Sequence, residues 1–354
     1  MDISLTSVCK RYGAVEVVTD LSIRLAAGRV VALLGPSGCG KTTTLRMMAG
    51  LERVSAGTLQ LGDVVVDDGA SRFVPPERRG LGMVFQNYAL WPHLNVVENV
   101  AYPLRLRGQT ATDARRHALQ ALERVKLVHL ADRGVHQLSG GQQQRVAVAR
   151  AVVGDGVRSP PVLLLDEPLA NLDARLREEM RGELATLART SGASVVLVTH
   201  DQQEAFAIAD DVVVLDRGRL AQQGTPLDIY LRPASAFVGA FGGAMAVVDG
   251  VVHQRGVRVG DAHVDATVVH LAGDLAEGAP VKVGLRPEWL RLATDGEGGL
   301  DVQVLQSLFL GREHELSLRC GAFTLGFRVP STQAAPLVGD RLRVVPVRAC
   351  AFAE

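Results

Sequence analysis

Val30-Val31-Ala32-Leu33-Leu34-Gly35-Pro36-Ser37-Gly38-Cys39-Gly40-Lys41-Thr42-Thr43 decides the fold of this chain. The five aliphatic residues read as a buried strand, the glycines as a tight loop, and Lys41 as the start of a helix. Gly35, Gly40, Lys41 and Thr42 fill the pattern G-x-x-x-x-G-K-[ST] of a phosphate-binding loop. Glycine lacks a Cβ, so successive N–H groups can turn inward around phosphate oxygens. The helix start adds free N–H groups and the positive end of its dipole. Lys41 supplies a charge for the β- and γ-phosphates, and Thr42 a hydroxyl for Mg²⁺. Pro36, Ser37, Gly38, Cys39 and Thr43 belong to the same cradle.

On the N-terminal side, Ile3 to Val8 and Val15 to Ile23 read as an antiparallel β edge leading into the 30–34 strand. Tyr12 falls in a turn before the loop, and taken alone reads as edge packing. On the C-terminal side, a hairpin turns at Gly62-Asp63 and a buried strand ends at Gln86. Val162-Leu163-Leu164-Leu165 runs into Asp166-Glu167, and Ala193 to Thr199 runs into His200. Continuous apolar strands separated by helices indicate a parallel sheet covered on both faces. Ligands then sit beyond the strands' carboxyl ends. Gly35, Gln86, Asp166 and His200 each follow a strand end, so one sheet can bring them to one edge. Asp166 suits Mg²⁺ held through water, Glu167 suits polarising an attacking water, and His200 can reach a γ-phosphate. Gln86, a neutral donor and acceptor, reads equally as an amide that positions water or touches Mg²⁺ and as an ordinary strand-end residue.

Residues from about 87 to 155 change to helical spacing, with Ala114, Ala118, Leu122 and Val125 recurring on one face. Leu138-Ser139-Gly140-Gly141-Gln142 interrupts them ahead of a helix expected over Gln143 to Val153. Two adjacent glycines before a helix read as a second anion nest. One ATP does not need two nests from one chain. The second is therefore expected to face the γ-phosphate held by another copy, in a head-to-tail dimer with two ATP at the interface.

The 354 residues suggest two domains, and 47% hydrophobic residues supply ample core. Lys+Arg and Asp+Glu are both 38, so no bulk charge favours nucleic acid. Cys9, Cys39, Cys320 and Cys350 are scattered, which is neither a zinc pattern nor a disulfide framework. Met1-Asp2-Ile3-Ser4 does not read as a signal peptide, and no apolar run approaches the ~18 residues of a membrane span. From about residue 240, short Val-rich runs alternate with glycine turns, as in a small β-barrel. The expected division is 1–240 and 241–354, with 231–243 as the junction.

Residues 1–240 resemble the ATP-binding subunit of ABC transporters. The 35–42 loop, LSGGQ at 138–142, the 162–167 strand, Gln86, Leu172-Asp173 and His200 match in order and spacing. The resemblance implies an α/β phosphate-loop ATPase with an antiparallel β edge and a helical subdomain. It implies Tyr12 stacked on adenine and Gln86 linking the ATP site to a membrane subunit. Glu167 would be the catalytic base. Ser139, Gly140, Gly141 and Gln142 would complete the partner's site, and Asp173 would touch the opposing subunit. Tyr230, Pro233, Phe237, Phe241 and Gly284-Leu285-Arg286-Pro287-Glu288 are similar to the tail of importer ATPases serving maltose, polyamines, ferric iron and sulfate, with a TOBE-like, OB-like C-terminal barrel. The partners implied are a second copy, two membrane permease subunits and an extracytoplasmic solute-binding protein, with this chain peripheral on the cytoplasmic face. Ferric iron or polyamine is the solute favoured, and sugar, sulfate or phosphonate the alternative. Gly154–Pro161 is longer than the family's usual link, and Trp91 stands where Phe is commoner.

Overall fold

The computed structural model describes residues 1–153, 162–190, 192–254, 256–260, 262–265, 269–273, 275–294 and 296–353. The Gly154–Pro161 segment lies outside the described residues. The chain divides into two compact units, Met1–Pro226 and Leu227–Glu354.

In the first unit, β1 (Ile3–Tyr12), β2 (Val15–Leu25), β3 (Val30–Leu34), α1 (Lys41–Ala49), β4 (Ala56–Leu61), β5 (Val64–Asp67) and β6 (Gly82–Val84) come first. The helices α2 (Val96–Leu106), α3 (Ala111–Arg124) and α4 (Gly140–Val152) follow. Then come β7 (Val162–Asp166), α5 (Ala174–Thr190), β8 (Ser194–Val198), α6 (Gln202–Ile208), β9 (Asp211–Asp216) and β10 (Arg219–Gly224). The second sheet has the order β10-β9-β3-β8-β7-β6, and every neighbour pair except β9–β10 is parallel. Its strands β3, β7 and β8 are buried at every position, which is why they read as unbroken aliphatic runs.

The expected antiparallel edge is a sheet of its own, β2-β1-β4-β5. Its inward residues Ile3, Leu5, Val8, Leu21 and Ile23 share one core with Leu45, Met47 and Met48 of α1 and with Val31, Leu33, Leu164 and Val196 of the parallel sheet. Tyr12 is not in a turn: it ends β1 and pairs with Val15. The three helices of the 87–155 region close a separate core around Val100, Leu104, Ala118, Leu122 and Val146.

Arg79 fastens α1. It is 5% exposed, and its guanidinium donates to Met47 O at 2.7 Å, Met48 O at 2.9 Å and Val74 O at 2.7 Å. The last carbonyls of a helix have no partner within it, so Arg79 satisfies groups that burial would otherwise penalise. Burial holds its pKa down at about 10. Arg79→Ala should cost about 2–4 kcal/mol, lowering the thermal midpoint by several degrees in a calorimetric melt. A melt identical to the parent's would show that water replaces the guanidinium freely.

The second unit opens with helices at Pro226–Leu231 and Ala236–Phe241 and continues as two β-sheets of six and five strands. Alternate residues of both sheets, among them Val257, Val283, Val302, Leu316, Leu325 and Val344, fill one core. The compact unit starts at Leu227, ahead of the 240/241 boundary expected from composition. Arg286 explains the difference. It is fully buried, it donates to Tyr230 O at 3.2 Å and Gly239 O at 3.0 Å, and its guanidinium lies 4.1 Å from the Tyr230 ring centre. The stretch read as a junction is thereby packed as part of the second unit.

Candidate active site

The register of the parallel sheet aligns four strand ends. Leu33 pairs with Val198, Asp166 with Val198, and Val84 with Leu165. The residues just beyond, Gly35, Gln86, Asp166-Glu167 and His200, therefore meet at one edge, as their strand-end positions suggested.

The 35–40 loop can be built only from glycine at its start. Gly35 has φ +154, and a Cβ there would lie 2.3 Å from Leu215 O and 2.6 Å from Cys39 Sγ. Gly38 and Gly40 are left-handed, at φ 79 and 99. Helix α1 then begins with no side-chain cap and no acid in its first turn. By contrast, α2, α3, α4 and α6 are each capped by Asn95, Thr110, Ser139 or Asp201. The α1 end thus leaves its N–H groups available to an anion.

Lys41 is 5% exposed. Its ammonium donates to Gly35 O at 2.7 Å and Pro36 O at 2.9 Å, with Cys39 Sγ at 3.8 Å. Among the described residues no carboxylate lies within ion-pair distance of it. A buried cation whose partners among the described residues are two carbonyls and a thiol, beside an uncapped helix start, fits phosphate as its counter-ion. Cys39, a residue of the loop, is buried, and burial pushes its thiol above the ordinary value.

Thr42 Oγ1 donates to Asp166 Oδ1 at 3.1 Å. Burial raises the Asp166 pKa, while Thr42, Arg46 and Lys41 oppose the rise. Among the described residues no cluster of three or more His, Cys, Asp or Glu side chains is placed to hold a metal. The hydroxyl and carboxylate are nonetheless hard oxygen donors of the kind Mg²⁺ takes in pairs, with phosphate oxygens and water filling its other positions. The residues fit Mg²⁺ brought in with a nucleotide.

Glu167 stands just past β7 with φ +44, a strained value for a non-glycine residue. Its N–H donates to Val198 O at 3.0 Å, which fixes the backbone there. Its carboxylate receives Gln86 Nε2 at 3.4 Å on one oxygen and lies 3.3 Å from His200 Nδ1 on the other. Asn171 Nδ2 donates to Gln86 O at 2.9 Å. Neither Asn171 nor Arg150, which holds the carbonyls after Gln86, stands out in the sequence. Both act on backbone carbonyls, and no residue pattern records such partners.

Tyr12 is 45% exposed. Lys10 Nζ sits 4.7 Å from its ring centre, and burial, followed by the Glu52 charge, raises the pKa of the Tyr12 hydroxyl above the ordinary value. Asp173 accepts from Leu176 N at 3.0 Å and so caps its own helix α5.

The LSGGQ segment differs from expectation. Helix α4 starts at Gly140, with Ser139 as its cap, so the two glycines form the first helical turn instead of a nest before it. Neither has positive φ. Ser139 Oγ receives Gln142 N at 3.4 Å, and Gln142 Oε1 receives Ser139 N at 3.0 Å. Gly141 packs under Leu176, whose Cδ2 would lie 2.9 Å from a Cβ there. Any anion at this end would meet helix N–H groups. Among the described residues no hydrogen bond joins 139–142 to the 35–43 loop.

Comparison with known proteins agrees with this geometry. Residues 18–170 match the family model described as ABC transporter. The ferric-ion import ATP-binding protein FbpC 1 of Rhizobium meliloti is 41% identical over 334 residues, covering 93% of this chain and 91% of that protein. The sn-glycerol-3-phosphate import ATP-binding protein UgpC of Cupriavidus pinatubonensis is 43% identical, covering 86% and 85%. The maltose/maltodextrin import ATP-binding protein MalK of Aliivibrio fischeri is 38% identical, covering 98% and 94%. Among solved structures, the dimeric bacterial ABC transporter cassette MJ0796 matches with a TM-score of 0.55 and 30% identity, covering 63% of this chain and 98% of that one. The chain belongs to the ABC transporter family, among the ATP-binding subunits of importers. It is an ATPase subunit that energises solute import through separate membrane subunits.

Proposed function

We propose that this chain binds MgATP on the 35–43 loop, completes the site with residues 139–141 of a second copy, and hydrolyses the γ-phosphate with Glu167 as base. The carrying observation is the Glu167 carboxylate held between Gln86 and His200 at the sheet edge that bears Lys41, Thr42 and Asp166. In this reading Lys41 neutralises the β- and γ-phosphates and Tyr12 offers its exposed ring to adenine. Thr42, Asp166 and Gln86 hold Mg²⁺, which neutralises charge building on the phosphates. His200 contacts the γ-phosphate and keeps Glu167 oriented.

The dimer is supported by the likeness to a dimeric cassette, which is also known with ADP and Pi bound. Asp173 then meets the opposing copy beside its own helix cap. Among the described residues no helix is long and apolar enough to cross a membrane. We assign translocation to two permease subunits fed by an extracytoplasmic solute-binding protein, with this chain peripheral on the cytoplasmic face. A groove of about 300 Å³ beside the 86–91 turn, lined by Phe85, Ala89, Trp91, Tyr102 and Leu106, is the docking place we assign to a permease. Trp91 there is 43% exposed and packs on Tyr102 at 5.7 Å. Relatives at 38–43% identity carry ferric-ion, glycerol-phosphate and maltose names, so the ATPase residues do not select the solute. Ferric ion is the first solute to test, on the two FbpC relatives at 41% and 42%.

Affinity purification of the tagged chain from membranes of its own source should recover two multi-spanning proteins. The complex should hydrolyse ATP faster when a solute-loaded binding protein is added. Recovery of a chain that instead transfers phosphate to a small solute, with no membrane partner, would overturn this reading.

A further inference from the structure

The turn after Gln86 carries backbone strain that its own residues do not relieve. Tyr88 and Ala89 are consecutive and both left-handed, at φ 60 and 46. For residues with a Cβ this crowds the side chain against the following carbonyl. The turn's own hydrogen bonds are Tyr88 N to Phe85 O at 2.8 Å and Ala89 N to Asn87 O at 2.6 Å, which leave the Tyr88 and Ala89 carbonyls to other partners.

A side chain from another element supplies what is missing. Arg150, near the C-terminal end of α4, donates Nη2 to Tyr88 O at 2.7 Å and Nη1 to Ala89 O at 2.6 Å. The guanidinium fork takes one carbonyl from each strained residue. Among the described residues no carboxylate lies within 4.0 Å of it, and burial alone pushes its pKa below the ordinary value. A charged group whose partners among the described residues are two carbonyls is committed to that geometry. At the near end of the same turn, Asn171 holds Gln86 O, and the Gln86 amide reaches Glu167 at 3.4 Å.

We propose that Arg150 is a positioning residue for ATP hydrolysis, holding the 88–89 pair left-handed so that the Gln86 amide faces Glu167. The inference rests on the reading of Glu167 as the base. It also gives α4 a second task. The helix whose first turn is offered to the ATP of the second copy carries, ten residues later, the clamp on the turn beside its own copy's Glu167. A rigid helix of this length joins the two places mechanically, about 15 Å apart along its axis.

Lysine keeps the charge but offers one point donor where two diverging carbonyls must be held. Arg150→Lys in the complete chain should retain ATP affinity and lose about ten- to a hundredfold in kcat, the scale of a small misplacement of a reacting group. Adding Ala89→Gly should recover about fivefold, because glycine enters the left-handed region without a clamp. A purely architectural arginine would not be answered by that second change. Ala89→Val leaves Arg150 intact and strains the same turn, so it should lower kcat with ATP affinity preserved. Wild-type kcat in either Arg150→Lys or Ala89→Val, or no recovery with Ala89→Gly, would overturn the positioning role. Absence of hydrolysis in the unaltered chain would instead remove the Glu167 reading, and this inference with it.

Discussion

Glu167→Gln should lower ATP turnover about a thousandfold while ATP affinity stays at the parent value, because a positioned general base is worth about 10²–10⁴ in rate. The amide is isosteric with the carboxylate, so the strained backbone at φ +44 and the N–H bond to Val198 O are retained. What is lost is the acceptor that takes a proton from water. Gln86 and His200 lie at 3.4 and 3.3 Å from the two carboxylate oxygens, and neither replaces that acceptor. Steady-state phosphate release and equilibrium nucleotide binding, measured on one preparation, separate the two effects. If turnover falls by less than tenfold, the base is another group.

Lys41→Ala should weaken ATP binding about a hundredfold or more, since removing one partner of a buried, hydrogen-bonded charge pair costs about 2–5 kcal/mol. Fold stability should change little, because the relieved burial of the charge offsets the bonds lost to Gly35 O and Pro36 O. The ammonium is 5% exposed, and among the described residues its partners are Gly35 O, Pro36 O and the Cys39 sulfur, with no carboxylate at ion-pair distance. Its removal relieves a desolvation penalty even as it removes the phosphate's partner. Nucleotide titration by calorimetry, alongside a thermal melt of the nucleotide-free chain, tests both halves. A variant that binds ATP as tightly as the parent would place the phosphates away from this loop.

Much of this was legible in the residues because burial on both faces leaves its mark in sequence. Leu33, Leu165 and Leu197 sit in unbroken aliphatic runs, and the polar residue ending each run marked the sheet edge. The misreadings share one cause. Gly140 and Gly141 look like a turn, yet right-handed glycine in a first helical turn has the same sequence as a nest, and only the backbone, with no positive φ at either residue, tells them apart. Tyr12 looked like a turn residue beside Gly13, but long-range pairing carried β1 through it. The 231–243 stretch looked like a junction, but the second compact unit starts at Leu227, and Arg286, far along the chain, donates to Gly239 O within the stretch and to Tyr230 O just before it. Side chains that act on backbone carbonyls, such as Arg79, Arg150, Asn171 and Arg286, were the least visible class.

The central claim is that each ATP lies between two copies, and mixing two inactive chains tests it directly. Lys41→Ala spoils the loop side of a site, and Ser139→Arg spoils the α4 side. Either variant alone has both sites of its dimer damaged. In a mixed dimer both lesions fall on one site and leave the other intact. Equal mixing, with exchange allowed, should therefore raise ATP hydrolysis well above the sum of the separate variants. A mixture that hydrolyses no more than that sum would contradict a site shared between copies.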